Sequence, residues 1–237
     1  MDKYTKHFIP LESNPDVFTS LIRQLGLSEA LSFREVWSLN DVTSFPRPAL
    51  ALILIFPTSE TYENHKSAED ATREDYIGGG ADDIIWFKQT INNACGLYAI
   101  LHAVCNGEAA GFVQSDSILS EFLRHYRSLQ PQDSAQALEA SASLEAIYNE
   151  AAMRGDSTVP EDAQEEVDYH YVCFVKHRHS HILELDGDRK GPIDKGVLLK
   201  HDDDMLSEGS MNVVREYIQR EKGGNIGFSL MALVRTA

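Results

Sequence analysis

The sequence predicts a protein of mixed helices and strands in an α+β or α/β arrangement. Several segments carry helical periodicity, residues 49–56 form a continuous apolar run, and two late segments at 169–175 and 181–186 alternate like paired strands. The 237 residues, 43% of them hydrophobic, are enough for one large domain or two small ones with a real core. No internal repeat is visible, which argues against a solenoid.

The first elements are marked by their boundaries. A helix is predicted to begin at Pro15, capped by Asn14, and to end at Gly26. The apolar run at 49–56 is bounded by prolines and predicts a strand buried on both faces. Residues 58–81 are polar and are interpreted as a loop that contains at most a short helix.

The most informative segment is QTINNACG, residues 89–96, which follows a short strand or extended lead-in at 84–88 and precedes an apolar run. It predicts a helix that begins near Cys95, capped by Asn92 or Asn93. The positive end of a helix favours a thiolate, so Cys95 is a candidate nucleophile and Gln89 a candidate oxyanion donor. A small buried cysteine fits these eight residues equally well.

The second half is predicted as helices, a loop and a strand pair. Its elements are helices at 115–129, 133–153 and 211–220, strands at 169–175, 181–186 and 226–234, and a turn at 177–180. Residues 154–168 contain six acidic side chains and few apolar ones. That composition cannot bury enough surface to offset its ordering entropy, so we predict a mobile segment.

A nucleophilic cysteine needs a base and usually a third group that orients the base. His170 begins the first late strand and Asp186 ends the second. A four-residue turn would set His170 opposite Gly187, and a shift of one residue would set it opposite Asp186. Local geometry therefore predicts that His170 and Asp186 lie close together.

Other histidines are weaker candidates. His177, His179 and His181 alternate and could present metal ligands on a strand, but no cysteine or carboxylate pair completes the site and a solvated turn fits better. His102 follows Cys95 by about two helical turns, which is too far for direct proton transfer, and is interpreted as a packed or surface residue.

Composition excludes several classes of protein. The formal charge of −16 makes nucleic acid an unsuitable partner, because phosphate contacts need clustered Lys and Arg. No apolar run is long enough to span a bilayer, and residues 1–11 lack a signal-peptide core. The three cysteines are too few for a disulfide framework, and Cys105 and Cys173 stand in apolar contexts typical of inert core residues. We expect a soluble protein of the cytoplasm, with access to the nucleus left open.

Taken together, these motifs resemble the ubiquitin C-terminal hydrolase family of cysteine peptidases. The resemblance rests on QTINNACG, HYVCFV and LELDG, and on PLESNPDV and FPRPALALILIFP nearer the start, so it spans essentially the whole chain. It implies an α+β, papain-like fold with a central antiparallel sheet flanked by helices and a knotted backbone. It also implies Cys95 as nucleophile, His170 as general base and acid, Asp186 as orienting carboxylate and Gln89 as oxyanion donor.

The resemblance further implies one catalytic domain over residues 1–237 in which 154–168 cross above the active site. It implies a monomer without metal or organic cofactor that binds ubiquitin, with other ubiquitin-like modifiers left open, and hydrolyses amide and ester bonds at its C-terminal glycine. Small or unfolded adducts would be released. Two alternatives stay open at this point: a catalytically idle ubiquitin-binding carrier, and an acyltransferase with Cys-His-Asp chemistry.

Overall fold

A six-stranded antiparallel sheet lies at the centre of the structure, a computed structural model that describes residues 4–78, 84–126, 129–157, 160, 162–165, 167–177, 180–221 and 227–236. Across the sheet the strands are β2 (Leu31–Glu35), β8 (Ser229–Arg235), β3 (Ala49–Pro57), β5 (Tyr169–Lys176), β6 (His181–Leu185) and β7 (Ile193–Leu198). All neighbouring strands in it are antiparallel. A separate parallel pair joins β1 (Lys6–His7) to β4 (Ile91–Asn92).

Helices cover both faces of this sheet, so the predicted antiparallel sheet flanked by helices is confirmed. They are α1 (Pro15–Leu25), α2 (Glu60–Ala71), α3 (Cys95–Cys105), α4 (Ile118–Tyr126), α5 (Pro131–Glu139), α6 (Ala142–Ala152) and α7 (Glu208–Arg220), with a 3₁₀ helix at Gly107–Phe112. The larger core joins α1, α3, α4 and α6 to one face, and the smaller core joins α7 to the other. No helix in the described part of the chain is long and apolar enough to cross a membrane.

Strand β3 separates the two cores, which explains its unbroken run of apolar residues. Ile53 and Ile55 point into the larger core, while Leu52 and Leu54 point into the smaller one. Because successive side chains of a strand point to opposite faces, a strand covered on both sides must be apolar at every position. The predicted buried strand is confirmed.

Helix α1 is also confirmed, together with both of its predicted boundaries. The Asn14 side chain accepts hydrogen bonds from the N–H groups of Asp16 and Val17, satisfying donors that have no partner within the helix. Gly26 ends the helix in the left-handed conformation, with φ of 100°.

The structure differs from the sequence prediction in two helical regions. The predicted helix at 133–153 is two helices, α5 and α6, because Ser141 caps a new helix by accepting from the Leu144 N–H. The polar region 58–81 contains the 12-residue helix α2, which is longer than expected. Periodicity did not reveal α2 because Tyr62 is the one buried residue it contains. Residues 84–88 form the extended lead-in and not a strand.

Candidate active site

Cys95 is the first residue of α3, as the sequence predicted, and its thiol is free and half-buried. The helix that carries it is buried on all sides, which holds the cysteine at the edge of the larger core. The predicted cap is wrong: Ala94 occupies the N-cap position and no side chain caps the helix. The first N–H groups of α3 are therefore not satisfied by a side-chain cap, and the positive end of the helix dipole lies at Cys95.

The strand pair β5 and β6 brings His170 and Asp186 together. His170 Nε2 lies 2.8 Å from Asp186 Oδ2, and both side chains are buried. The observed register sets Cys173 opposite Leu185, which places Asp186 level with Val172 and diagonal to His170. Both registers considered from the sequence, the four-residue turn and its one-residue shift, are therefore wrong. The predicted proximity of His170 and Asp186 is confirmed, because His170 points to the same face as Val172, which Asp186 lies opposite.

The same histidine reaches Cys95, completing a contiguous Cys-His-Asp set. The Cys95 sulfur lies 4.0 Å from the carbonyl oxygen of Tyr169, the residue before His170, and the Cys95 side chain is one of the groups that raise the pKa of His170. Because Nε2 faces Asp186, the ring nitrogen Nδ1 is the one available to the thiol. The arrangement has the order nucleophile, base and orienting acid that thiol catalysis requires.

Electrostatics favour a charged imidazole in this set. Burial by itself would lower the pKa of His170, but the Asp186 carboxylate and then the Cys95 side chain raise that pKa well above its ordinary value. Burial would raise the pKa of Asp186, yet the His170 side chain and the Asp188 N–H lower it to about 2. Asp186 is thus ionised throughout the neutral range and stabilises an imidazolium at His170.

Asp186 makes further polar contacts that the sequence analysis did not predict. The Tyr62 hydroxyl donates to Oδ2 at 3.2 Å, and the Asp188 N–H donates to Oδ1 at 2.9 Å. The indole N–H of Trp86 donates to the Asp186 carbonyl oxygen at 3.0 Å. The sequence signal that could have indicated the contact of Tyr62 is that it is a single aromatic residue in the otherwise polar segment of α2.

Gln89 lies on the lead-in to α3 and packs against the turn that follows Asp186. Its backbone N–H donates to the Gly187 carbonyl oxygen at 2.8 Å, and its side-chain Nε2 donates to the Ile91 carbonyl oxygen at 3.1 Å. A Cβ atom at Gly187 would lie 2.9 Å from the Phe87 carbonyl oxygen, so this approach requires glycine. Gln89 Oε1 is buried and has no hydrogen-bond partner among the described residues.

Asn93, predicted as a cap, instead holds the segment 154–168. Its side-chain Nδ2 donates to the carbonyl oxygens of Ala163 and Glu165 at 3.0 and 2.8 Å, and its own φ is 57°. The side chain therefore points away from the helix start and into the acidic segment. The segment has a second contact outside itself, because the Ser157 N–H donates to the Glu12 side chain at 2.6 Å.

These contacts place the described part of 154–168 beside Cys95. A cavity of about 560 Å³ is lined by Cys95 and Asn93 and also by Arg154, Ser157 and Val167 of this segment. The predicted mobility of 154–168 stays a prediction. Thr158, Val159, Glu161 and Glu166 lie outside the described residues.

The remaining histidines lie in other environments. His102 is fully buried, accepts a hydrogen bond from the Phe87 N–H at 3.0 Å, and has a pKa lowered by burial to about 4, so it is a packed neutral residue. His181 Nδ1 lies 2.7 Å from Asp194 Oδ2, while His179 lies outside the described residues. Within the described ranges no group of three or more His, Cys, Asp or Glu side chains is placed to hold a metal ion.

Comparisons with known proteins find similar sequences along almost the whole chain. The chain is 31% identical over 231 residues to ubiquitin carboxyl-terminal hydrolase isozyme L1 of Rattus norvegicus, covering 96% of this chain and 98% of that protein. It is 32% identical over 226 residues to the ubiquitin carboxyl-terminal hydrolase of Drosophila melanogaster, covering 94% and 96%.

A solved structure shares the fold: the catalytic domain of Trichinella spiralis UCH37 bound to ubiquitin vinyl methyl ester. It superimposes with a TM-score of 0.76 at 21% identity and covers 99% of both chains. The model of the family described as ubiquitin carboxyl-terminal hydrolase, family 1, matches residues 8–219. On this match, and on relatives that align along almost their whole length, the chain belongs to family 1 of the ubiquitin carboxyl-terminal hydrolases, which are cysteine peptidases.

Proposed function

We propose that this chain is a thiol-dependent deubiquitinating peptidase that hydrolyses amide and ester bonds at the C-terminal glycine of ubiquitin. The observation that carries the proposal is the buried His170–Asp186 pair, 2.8 Å apart, beside the half-buried thiol of Cys95, which lies 4.0 Å from the Tyr169 carbonyl oxygen. Membership of the family supplies the substrate. We also propose that residues 1–237 act as one catalytic domain.

In the first step the Cys95 thiolate attacks the glycyl carbonyl carbon, and the charge that develops on oxygen is held by two donors. We assign these to the Cys95 backbone N–H and to the Gln89 side-chain amide. One N–H of that amide is bonded to Ile91 O, which leaves the second for the oxyanion. The C–N bond then breaks as His170 gives its proton to the departing amine, leaving ubiquitin joined to Cys95 as a thioester.

In the second step His170 takes a proton from water, and the resulting hydroxide attacks the thioester carbonyl. The C–S bond breaks, ubiquitin leaves with a free carboxylate, and the thiolate is restored. Asp186 exchanges no proton; it holds the imidazole in the orientation that both steps need and stabilises the imidazolium.

Residues 154–168 support a restriction on the leaving group. The described residues of this segment contact Asn93 and Glu12 and line the same cavity as Cys95, so we propose that a leaving group attached at Cys95 passes the segment. Small or unfolded adducts are therefore the substrates we propose. The net charge of −16 suits a partner whose C-terminal tail is basic.

A fluorogenic amide of the ubiquitin C-terminus tests the proposal. We expect rapid turnover, loss of turnover in Cys95→Ser, and labelling of Cys95 alone by a ubiquitin that carries a C-terminal thiol trap. Cys105→Ser and Cys173→Ser are matched controls, because both thiols are buried. Binding without turnover would indicate an idle carrier, and neither binding nor turnover would favour an acyltransferase.

A further inference from the structure

Tyr62 lies outside the Cys-His-Asp set but contacts the same carboxylate oxygen as the histidine. Its hydroxyl is 3.2 Å from Asp186 Oδ2, and His170 Nε2 is 2.8 Å from that oxygen. The residue is 6% exposed, so water does not compete freely for the hydrogen bond. Two donors therefore converge on one oxygen of the orienting carboxylate from different directions.

The ring of Tyr62 is itself held in place. It packs edge-on against Phe56, with ring centroids 4.7 Å apart, and its centroid lies 5.9 Å from that of His170. Lys66, one helical turn later, places its ammonium 5.5 Å from the Tyr62 centroid. The hydroxyl is thus presented to Asp186 by a side chain with little rotational freedom.

Helix α2 also contacts the residue that donates to Asp186 Oδ1, the second oxygen of the carboxylate. Lys66 Nζ lies 2.7 Å from Asp188 Oδ2, and the Asp188 N–H donates to Asp186 Oδ1. Further along the same helix, Glu69 and Asp70 pair with Arg189, the residue after Asp188. One face of α2 therefore holds the turn that begins at Asp186 through ion pairs.

We infer that Tyr62 is a positioning residue for catalysis: its hydroxyl, presented by α2, holds Asp186 Oδ2 where it orients the His170 ring. The inference rests on the proposed function of the Cys-His-Asp set and extends it. The competing explanation is that Tyr62 merely packs the smaller core and donates to the nearest acceptor.

Tyr217 provides a matched control. It is another buried tyrosine, and its ring centroid lies 5.7 Å from that of Phe56. Burial and then Glu184 are the main causes that raise the pKa of its hydroxyl, and Asp186 is a smaller one. Tyr62→Phe and Tyr217→Phe each remove one buried hydroxyl and keep the ring. Comparing the two variants separates loss of a hydroxyl from loss of the contact with Asp186.

With the fluorogenic ubiquitin amide we expect Tyr62→Phe to lower kcat about tenfold and to leave KM unchanged. A fall of about tenfold is the effect expected from the loss of one hydrogen bond to a charged group. Tyr217→Phe should keep the wild-type kcat. Tyr62→Phe at the wild-type kcat, or an equal fall in both variants, would overturn the inference.

A double-mutant cycle then tests the route of the effect. In an Asp186→Asn background the carboxylate that Tyr62 orients is gone, so adding Tyr62→Phe should lower kcat no further. A purely structural loss would multiply with that of Asp186→Asn. Full multiplication of the two effects would therefore contradict a positioning role.

A readout without ubiquitin separates this inference from the proposed function. The rate at which iodoacetamide alkylates Cys95 reports how well His170 supports the thiolate, and the other two thiols are buried. We expect Tyr62→Phe to slow alkylation several-fold and Tyr217→Phe to leave it unchanged. If the wild type does not cleave the amide, the proposed function fails, and the alkylation rates alone decide the role of Tyr62: equal rates in both variants would refute it.

Discussion

Replacing Asn93 with glycine should convert the enzyme into one that accepts larger leaving groups. The Asn93 side chain donates both of its described hydrogen bonds to the segment 154–168, at Ala163 and Glu165. Glycine is the suitable replacement because the backbone φ of 57° is left-handed, a conformation in which alanine would add strain of its own. The variant thus removes the tether without distorting the start of α3.

The size of the effect follows from the two lost bonds. Each contributes about 0.5–1.5 kcal/mol, and since one of them is exposed we take about 1–2 kcal/mol for the pair, a factor of about 5–30 in the ratio of open to closed segment. The contact between Ser157 and Glu12 and the bond from the Thr58 N–H to Asp168 O remain. The segment should open more often without becoming detached.

Two substrates measure this change: the fluorogenic ubiquitin amide and ubiquitin fused through its C-terminus to a folded domain. For Asn93→Gly, kcat/KM on the fusion should rise by about 5–30-fold, the same factor as the opening equilibrium, while the small amide changes little. Asn92→Ala is the control, because the neighbouring amide contacts His7 at 3.2 Å and not the acidic segment. If both substrates respond equally, or the fusion gains nothing, residues 154–168 do not filter the leaving group.

The remaining predictions concern the catalytic set. Cys95→Ser should abolish turnover and preserve ubiquitin binding, as calorimetry would show; hydrolysis at the wild-type rate would exclude Cys95 as nucleophile. His170→Ala should cost as much as Cys95→Ser in the amide assay, because members of a catalytic unit are not additive, and full activity in this variant would move the base elsewhere. Gln89→Ala should lower kcat by about 10²–10³ with little change in KM, the usual cost of one oxyanion donor, whereas a raised KM alone would make Gln89 a binding residue. Asp186→Asn should keep residual activity and move the alkaline limb of the kcat/KM profile to lower pH. Burial lowers the pKa of His170 and the Asp186 carboxylate raises it, so without the carboxylate the imidazolium loses its proton at lower pH. An unmoved limb would show that Asp186 does not support the imidazolium.

Much of the site was predictable because its signals are local. The helix start at Cys95 follows from a polar segment before an apolar run, and hairpin geometry alone brings His170 near Asp186. The register of that hairpin was not predictable. It depends on the pairing of β5 and β6 within the whole sheet, where β3 also fixes the position of β5 along seven paired residues.

The sequence by itself determined the ends of α1, through Asn14 and Gly26, and the burial of β3, because capping groups and a run of apolar residues act within a few positions of the chain. It also indicated Cys95, His170 and Asp186 as the candidate catalytic residues. Only the tertiary structure decided that Asn93 holds the acidic segment and that Tyr62 meets Asp186, which is 124 residues away along the chain. The physical reason is that a polar side chain takes whichever partner the fold brings within about 3 Å, and nothing local in the sequence specifies that partner.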